Sequence, residues 1–476
     1  MLTRSAEGNP RLSFWLRVRE YAVPPSMIEK ATDRRRAGDW AGACTAAGVD
    51  ADLDPRSVAR THGHHLMAQV RADLRHLAPD LLRWHLPRVA PDGLLRPGLT
   101  VALARYETGE RDGAGPVHLV ARTPPAWADA GQRISLALWD GSYGGVGDRR
   151  HPHPHPDRRF RLDLHRHLWD ARRAGELRVR SGADRPPAEN PPAGLTAWPP
   201  GTGPGTLPPG HRCAVDRWAA EAGLLLRSEG RTAGAVTVRL GGRHRLLLTL
   251  GADGNGLELS SAPADRGTAA LPVLPDAATW ALPDLELLRA GLIEPGRLHP
   301  LVGPALVPGH LPAGPPRSTD PPDPPGQPGQ PGQPGQPRIV ECRGARHRIG
   351  LVDGVLSPLD HDPAEIRREE LLVALTGTPL PCLRAIDEAH RRPDCLTGVR
   401  ERLDHGDTAG ALAVVEGLLG PDALLRSGPL QGELEAAARR RIAYGLFRAG
   451  LADGRPQPPR RRPPGHRARP RLAADN

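Results

Sequence analysis

The stretch Pro312–Pro337, PAGPPRSTDPPDPPGQPGQPGQPGQP, decides how this chain must be read. It ends in four tandem Gly-Gln-Pro triplets, with glycines at Gly326, Gly329, Gly332 and Gly335. Between Leu311 and Ile339 there is no large apolar residue. Proline removes backbone donors and fixes φ, and nothing there offsets the entropy of ordering the chain, so the stretch cannot enter a core. Residues 311–337 are therefore expected to be a disordered linker. Period-three glycine suggests collagen, but four triplets are too few for a triple helix, and a tether is the better reading.

The chain of 476 residues is long enough for several domains with cores of their own. Hydrophobic residues make up 38% and aromatics 3%, while 55 glycines and 55 prolines favour loops. Lys30 is the only lysine among 64 basic residues. That bias is the mark of a very GC-rich bacterial genome of actinomycete type, so part of the arginine content is genomic. The formal net charge is +10, and Arg455–Asn476 alone carries seven arginines against Asp475. The high isoelectric point thus reports mainly the tail and does not make the rest a nucleic-acid binder. Cys44, Cys213, Cys342, Cys382 and Cys395 are odd in number, far apart and without Cys-x-x-Cys spacing. They read as free thiols in a reducing cytosol, against a zinc ribbon or a disulfide framework. Residues 1–20 lack a signal-peptide core, and no apolar run reaches membrane length, so a cytoplasmic protein with no membrane span is expected.

The pattern predicts an α+β, multi-domain chain. Residues 1–97 read as helical. Ser26 and Glu29 form a capping box, Gly38 stops that helix, Asp39 caps a short one through Cys44, and Asp54-Pro55 opens another along which Leu66, Val70, Leu74 and Leu77 recur at helical spacing. Residues 98–184 switch period. Leu99–Tyr106, Val117–Arg122 and Ile134–Trp139 predict a small antiparallel sheet, and Arg159–Arg173 a strand leading into a helix. Residues 185–210 form a proline-rich linker or loop. Residues 211–310 predict an α/β module with a helix at Cys213–Ser228, strands at Ala235–Leu240, His244–Leu250 and Gly256–Ser260, and a helix at Leu282–Leu292. After the linker, 338–454 is a second α/β module ending in αα-hairpins. Its strands are Ile339–Cys342, Arg348–Val352 and Val355–Leu359, and Asp362-Pro363-Ala364-Glu365 opens a helix. Residues 455–476 read as a disordered basic tail.

Two internal echoes stand out. Gly242-Arg243-His244-Arg245-Leu246 matches Ala345-Arg346-His347-Arg348-Ile349, and each is followed by a Leu-Pro-x-Leu helix start at Leu282 and Leu380. A duplicated strand–turn–strand–helix module over roughly 233–292 and 338–390 would produce this, as would chance in an Arg/Leu/Pro-rich chain. The second echo pairs Gly38-Asp39-Trp40-Ala41-Gly42-Ala43 with Gly406-Asp407-Thr408-Ala409-Gly410-Ala411. Glycine ends one helix, aspartate caps the next, and small residues allow close approach. The second copy, continuing through Leu412, Val415, Leu418 and Leu419, resembles the second helix of a tetratricopeptide repeat, and Arg441–Gly450 resembles a first helix. The resemblance covers about 50 residues, at a spacing that forms no regular array, and implies a surface for a peptide or protein partner.

Catalytic motifs are sparse. A phosphate-binding P-loop, an ordinary kinase and a pyridoxal-phosphate enzyme all need a lysine, and Lys30 lies on a polar helix face. Gly-x-Ser-x-Gly and His-Glu-x-x-His do not occur. His151, His153, His155 and Asp157 alternate with proline and are the candidate metal ligands, since residues two apart in an extended chain face one side. His153-x-His155-x-Asp157 is similar to the metallo-β-lactamase ligand motif. Arg158 stands where that motif has histidine, which excludes the family, and a polyproline conformation would fan the rings apart into a solvated loop. Asp360-His361-Asp362 offers a further metal or acid–base cluster, although Asp362 also serves as a helix cap. The tail arginines Arg460, Arg461, Arg462, Arg467, Arg469 and Arg471 have no aromatics among them and could hold phosphate backbones only non-specifically. The pattern therefore favours a non-catalytic protein–protein interaction or scaffold protein with no cofactor. The alternatives are a nucleic-acid-associated protein acting through the tail and a metal-dependent enzyme using the histidine-rich loop.

Overall fold

The computed structural model describes residues 9–108, 115–129, 132–141, 151–185, 210–241, 244–251, 257–262, 270–309, 338–342, 344–352, 355–362, 364–368, 371, 381–391, 396–419 and 428–451. The linker, the tail and most of the 185–210 loop lie outside them. The chain mixes helices with small sheets, as expected. It divides into two compact units, one comprising 1–127, 133–313 and 450–476, the other 128–132 and 314–449.

In the first unit, α1 (Pro10–Tyr21), α2 (Pro25–Arg36) and α3 (Trp40–Ala46) open the chain. Asn9 caps α1, accepting from the backbone N–H groups of Arg11 and Leu12. The Ser26 capping box does not form: α2 begins two residues earlier than that cap implies, with Pro25 at its first position and no side-chain cap. Proline's fixed φ suits that position, so Ser26 falls inside the first turn. After the short strand β1 (Val49–Ala51), Asp54 caps α4 (Pro55–His76), whose Leu66, Val70 and Leu74 are buried. Then follow α5 (Pro79–His85), the small hairpin β2 (Arg88–Val89) and β3 (Leu94–Leu95), and the long strands β4 (Thr100–Tyr106), β5 (Val117–Arg122) and β6 (Ile134–Trp139).

The expected antiparallel sheet is a mixed one of order β1-β6-β5-β4, because β1 adds to β6 in parallel. At three residues β1 is too short to show an alternation pattern in the sequence. Residues 159–173 form turns and a short 3₁₀ turn at Arg166–Leu168 in place of the expected strand and helix. One core spans the expected boundary at 97. Leu74, Leu81 and Trp84 from the helices join Val101, Leu119 and Leu136 from the sheet, and Leu287 and Val302 from far downstream.

A second core of the same unit lies under α7 (Val215–Ser228), which follows the short α6 (Leu177–Ser181). Trp218, Leu225 and Leu226 of α7 pack on the antiparallel meander β7 (Gly234–Arg239), β8 (Arg245–Leu250) and β9 (Leu257–Ser261). Its inward face carries Val236, Val238, Leu246 and Leu248. Short helices α8 (Asp276–Thr279), α9 (Pro283–Arg289) and α10 (Gly303–Leu306) complete the unit.

The second unit begins with another meander, β10 (Arg338–Cys342), β11 (Ala345–Val352) and β12 (Val355–Pro358), in the same sequential order. Helices α11 (Pro381–Arg391), α12 (Leu396–Asp404), α13 (Thr408–Leu419) and α14 (Pro429–Ala449) follow. Val399, Leu403, Ala411, Val415 and Leu430 form their shared core. The two meanders match in strand order, but the helices that follow them pack differently. In the second unit Cys382 and Leu383 of α11 pack on its sheet, whereas α9 turns Leu287 into the helical core of the first unit.

The second echo is reproduced in atomic detail. Gly38 and Gly406 both take the left-handed conformation, at φ of 76° and 87°. Asp39 then accepts from the Gly42 N–H at 2.7 Å, and Asp407 from the Gly410 N–H at 2.9 Å. Each cap also receives an arginine from the preceding helix, Arg34 at 3.3 Å and Arg402 at 3.2 Å.

Candidate metal centre

Cys342, His347, His361 and Cys382 bring one ligand atom each to within 4.8 Å of all the others. Among the described residues this is the one group of three or more His, Cys, Asp or Glu side chains placed to hold a metal. Four donors about 2.0–2.3 Å from a tetrahedral zinc ion would stand about 3.3–3.8 Å apart, so the widest pairs need a small contraction and the two imidazole nitrogens, now 2.6 Å apart, a small separation.

Local structure explains the convergence. Cys342 ends β10 and pairs with Ala345 across a tight turn, where Gly344 takes a φ of 79°. His347 pairs with Val340. Since alternate residues of a strand share a face, this register puts Cys342 and His347 on the same side of the hairpin. The chain next returns along β12 and turns. Leu359 donates to the Arg348 carbonyl at 2.8 Å, and Asp360 accepts from the Arg348 N–H at 2.7 Å and from its guanidinium at 2.8 Å. Pinned in this way, the turn delivers His361 so that its Nε2 lies 2.6 Å from Nδ1 of His347. Asp362 caps the next turn by accepting from Ala364 N–H at 2.9 Å. That turn carries Glu365, whose carboxylate lies 3.4 Å from Nδ1 of His361. Cys382 arrives from the first turn of α11, behind the helix-opening Pro381.

The cluster is largely buried, with His347 half-buried. Both cysteines are 0% exposed, and they form the centre of a very small apolar group with Val340 and Leu383 packed against it. The His361 side chain is 3% exposed. Burial first, and then the hydrogen bond and charge of the neighbouring Cys342, push the Cys382 thiol up to about 11. An apolar pocket alone therefore keeps this thiol protonated, whereas a bound dication favours the thiolate outright.

The donor set has chemical consequences. Two thiolates and two imidazoles in tetrahedral array suit zinc, and four protein ligands leave no position for water or substrate. Closed sites of that kind characteristically serve structure. Glu365 on the far nitrogen of His361 completes the carboxylate–histidine pair that fixes ring orientation around metals.

The histidine-rich loop is placed differently. His151 is buried, with Nε2 2.9 Å from the Thr123 carbonyl, and its Nδ1 accepts from the His153 N–H at 3.2 Å. Both ring nitrogens thus serve to anchor the loop. Burial and the nearby charges lower its pKa on balance, which agrees with a neutral ring. The His153 carbonyl accepts from Thr100, His155 sits edge-on to Trp139 at 5.5 Å, and Asp157 accepts from its own Arg159 N–H at 2.8 Å. The four candidates are spread over separate partners. Of Asp360-His361-Asp362, one member points into the cluster and the aspartates serve the turn and the cap. The six candidate arginines of the tail lie outside the described residues.

The four described cysteines, Cys44, Cys213, Cys342 and Cys382, are free thiols, as expected, but the last two, far apart in sequence, come together. Their pattern hides them: Cys-x₄-His-x₁₃-His-x₂₀-Cys matches no compact zinc spacing, because the ligands come from a strand end, a strand middle, a turn and a helix start. The Arg-His-Arg echo was the available signal, since it singles out His347. No family model, no curated protein and no solved structure matches this chain.

Proposed function

We propose that the chain is a non-catalytic interaction protein whose second unit is a binding module organised around a structural zinc ion. The observation that carries this reading is the closed Cys342–His347–His361–Cys382 shell. It supplies all four ligands from protein, is buried except at the half-buried His347, and stands where a three-stranded sheet would otherwise need an apolar core. Sheets this small gain independent stability from a metal or a disulfide.

The helices after the sheet offer the contact surface. On α14, Ile442 and Leu446 are one turn apart and 64% and 43% exposed, with Leu412 of α13 also exposed. An apolar stripe of this kind on an arginine-bearing helix suits a partner helix with apolar and acidic residues. The tetratricopeptide-like reading of these helices belongs with this proposal.

Metal analysis of untagged protein after dialysis tests the first half. About one zinc per chain is expected, and none sinks the reading. For the second half, the wild type and an Ile442→Glu/Leu446→Glu variant are compared in pull-downs from lysate of the encoding organism. A stoichiometric partner recovered by the wild type and lost by the variant is expected; equal recovery removes this helix from the proposal.

A further inference from the structure

The first unit carries a second kind of site, independent of the metal. Thr237 and Arg239 lie two residues apart on β7 and therefore share a face, and Arg245 of β8 is the direct cross-strand partner of Arg239. This is the face opposite the buried Val236 and Val238. It forms one wall of a cleft of about 260 Å³ lined by Asp157, Arg158, Arg159, Thr237, Arg239, Arg245 and Val273.

Two buried donors of the cleft lack acceptors. Like charges placed directly across two strands repel, yet Arg239 and Arg245 have no ion-pair partner among the described residues. Nε of Arg239 is buried without an acceptor. So is the hydroxyl of Thr237, a residue 2% exposed. The nearby acids bond first to Arg159: Asp276 through two hydrogen bonds of 3.1 and 2.8 Å, and Asp157, which lines the cleft, by accepting from the Arg159 N–H; their charges only partly offset the repulsion on Arg239. Burial, then the charges of Arg159 and Arg245, lower the Arg239 pKa. Together these observations describe a pocket preorganised for an anion with several oxygens, to which guanidinium groups donate in pairs.

The same cleft adjoins a larger cavity of about 460 Å³, with Arg158 and Val273 common to both. The larger cavity has Trp139 and His155 on its wall, together with Arg105 and Arg161. Its volume falls within the range of small-molecule sites, and an indole beside it offers a stacking face for a planar group.

We propose that this double cleft binds a small phosphate ester with a planar ring system. The phosphate sits on Thr237, Arg239 and Arg245, and the ring lies in the cavity beside Trp139.

Calorimetric titration of the full chain with inorganic phosphate, pyrophosphate and purine mononucleotides, at low and high salt, tests this. A mononucleotide is expected to bind at least tenfold more tightly than inorganic phosphate, and to weaken as salt rises. Arg245→Gln, at an exposed strand position, should weaken binding at least tenfold. Thr237→Val, close in shape, should weaken it several-fold. Without ligand, Arg239→Gln should melt no lower than the wild type, because it removes a repelling charge, and should show no ligand-induced rise. Absence of binding by all three probes, binding indifferent to Arg245→Gln, or a mononucleotide no tighter than phosphate would each overturn the proposal.

Discussion

Nδ1 of His347 and Nε2 of His361 face each other at 2.6 Å, at the meeting point of a strand and a turn. Two neutral rings can share one N–H at that distance; a metal held by His347 and His361 would replace that proton with a stronger link, the two nitrogens moving slightly apart. The prediction is that chelation unfolds the second unit selectively. Two melting transitions are expected with metal. Chelator should lower or abolish only the one assigned to residues 338–449, and His347→Ala or Cys382→Ser should reproduce that loss without chelator. A single transition unaffected by chelator would refute the structural role.

Glu365 stands behind His361 and not in the ligand set. Its removal should therefore leave the metal stoichiometry unchanged and weaken affinity about 10–100-fold, the usual effect of losing a partner that orients a ligand. Competition between Glu365→Gln protein and a colorimetric chelator reads this directly. Unchanged affinity would show that Glu365 merely lies near the ring.

The contrast between echo and ligand set shows what sequence carries and what it does not. Helix stops and caps are local, so Gly38, Asp39, Asp54 and Asp362 could be read from neighbouring residues, and their hydrogen bonds follow. The long strands β4 to β6 were legible from their alternation. Strand β1 was not, because a three-residue edge strand exists only through its partner β6. The metal cluster was illegible for the same reason. Cys342 and Cys382 are brought together by the packing of α11 on a sheet, and no local period records that event. The Arg239 and Arg245 juxtaposition likewise appears only once the strand register is known.

Arg19 and Asp284 should matter greatly to the first unit. They are 265 residues apart in sequence, almost wholly buried, and joined by two hydrogen bonds of 2.7 and 2.8 Å. Arg19 also donates to the Trp84 carbonyl and lies 4.3 Å over the Trp84 ring, while the Trp84 indole donates to Asp284. A network this fully satisfied leaves an uncompensated cation when the acid is removed. Asp284→Ala is expected to cost about 3–5 kcal/mol in urea unfolding of this unit. A loss below about 1 kcal/mol would mean that water reaches Arg19.

His167 should make the same unit sensitive to mild acid. Its side chain is 3% exposed and its Nδ1 has no hydrogen-bond partner. Burial, then the neighbouring His165 and Arg180, hold its pKa well below the ordinary value. The folded state keeps the ring neutral while the unfolded chain takes up a proton below about pH 6.5. Stability therefore falls as pH falls through that value, by up to about 1.4 kcal/mol per pH unit for this residue. Glu221 does not add to the slope in this range. Burial would raise it, but the His165 ring 3.2 Å away and two hydrogen bonds from Arg180 outweigh that and hold it at about 2. Unfolding free energies at pH 7.5 and 5.5 should differ in the wild type and differ less in His167→Gln. Equal slopes in the two proteins would remove His167 from the account.

The paired glycines Gly42 and Gly410 allow one local motif to be measured in two settings. At each, a Cβ atom would overlap the carboxylate of the capping aspartate, Asp39 in one case and Asp407 in the other. The aspartate would have to swing away, losing its bond to the N–H three residues on and its contact with Arg34 or Arg402. In an ordinary helix the exchange of glycine for alanine stabilises by roughly 1 kcal/mol. Here loss of the cap, worth about 0.5–2 kcal/mol, opposes that gain. Gly42→Ala and Gly410→Ala should therefore fail to stabilise their units. Adding Asp39→Ala or Asp407→Ala to each should cost less than the same cap removal in the wild type, because the glycine change has already displaced the cap. Double-mutant cycles on the two melting transitions report this coupling. A coupling energy near zero at both sites would show that the caps tolerate a methyl group and that the shared glycine has another cause.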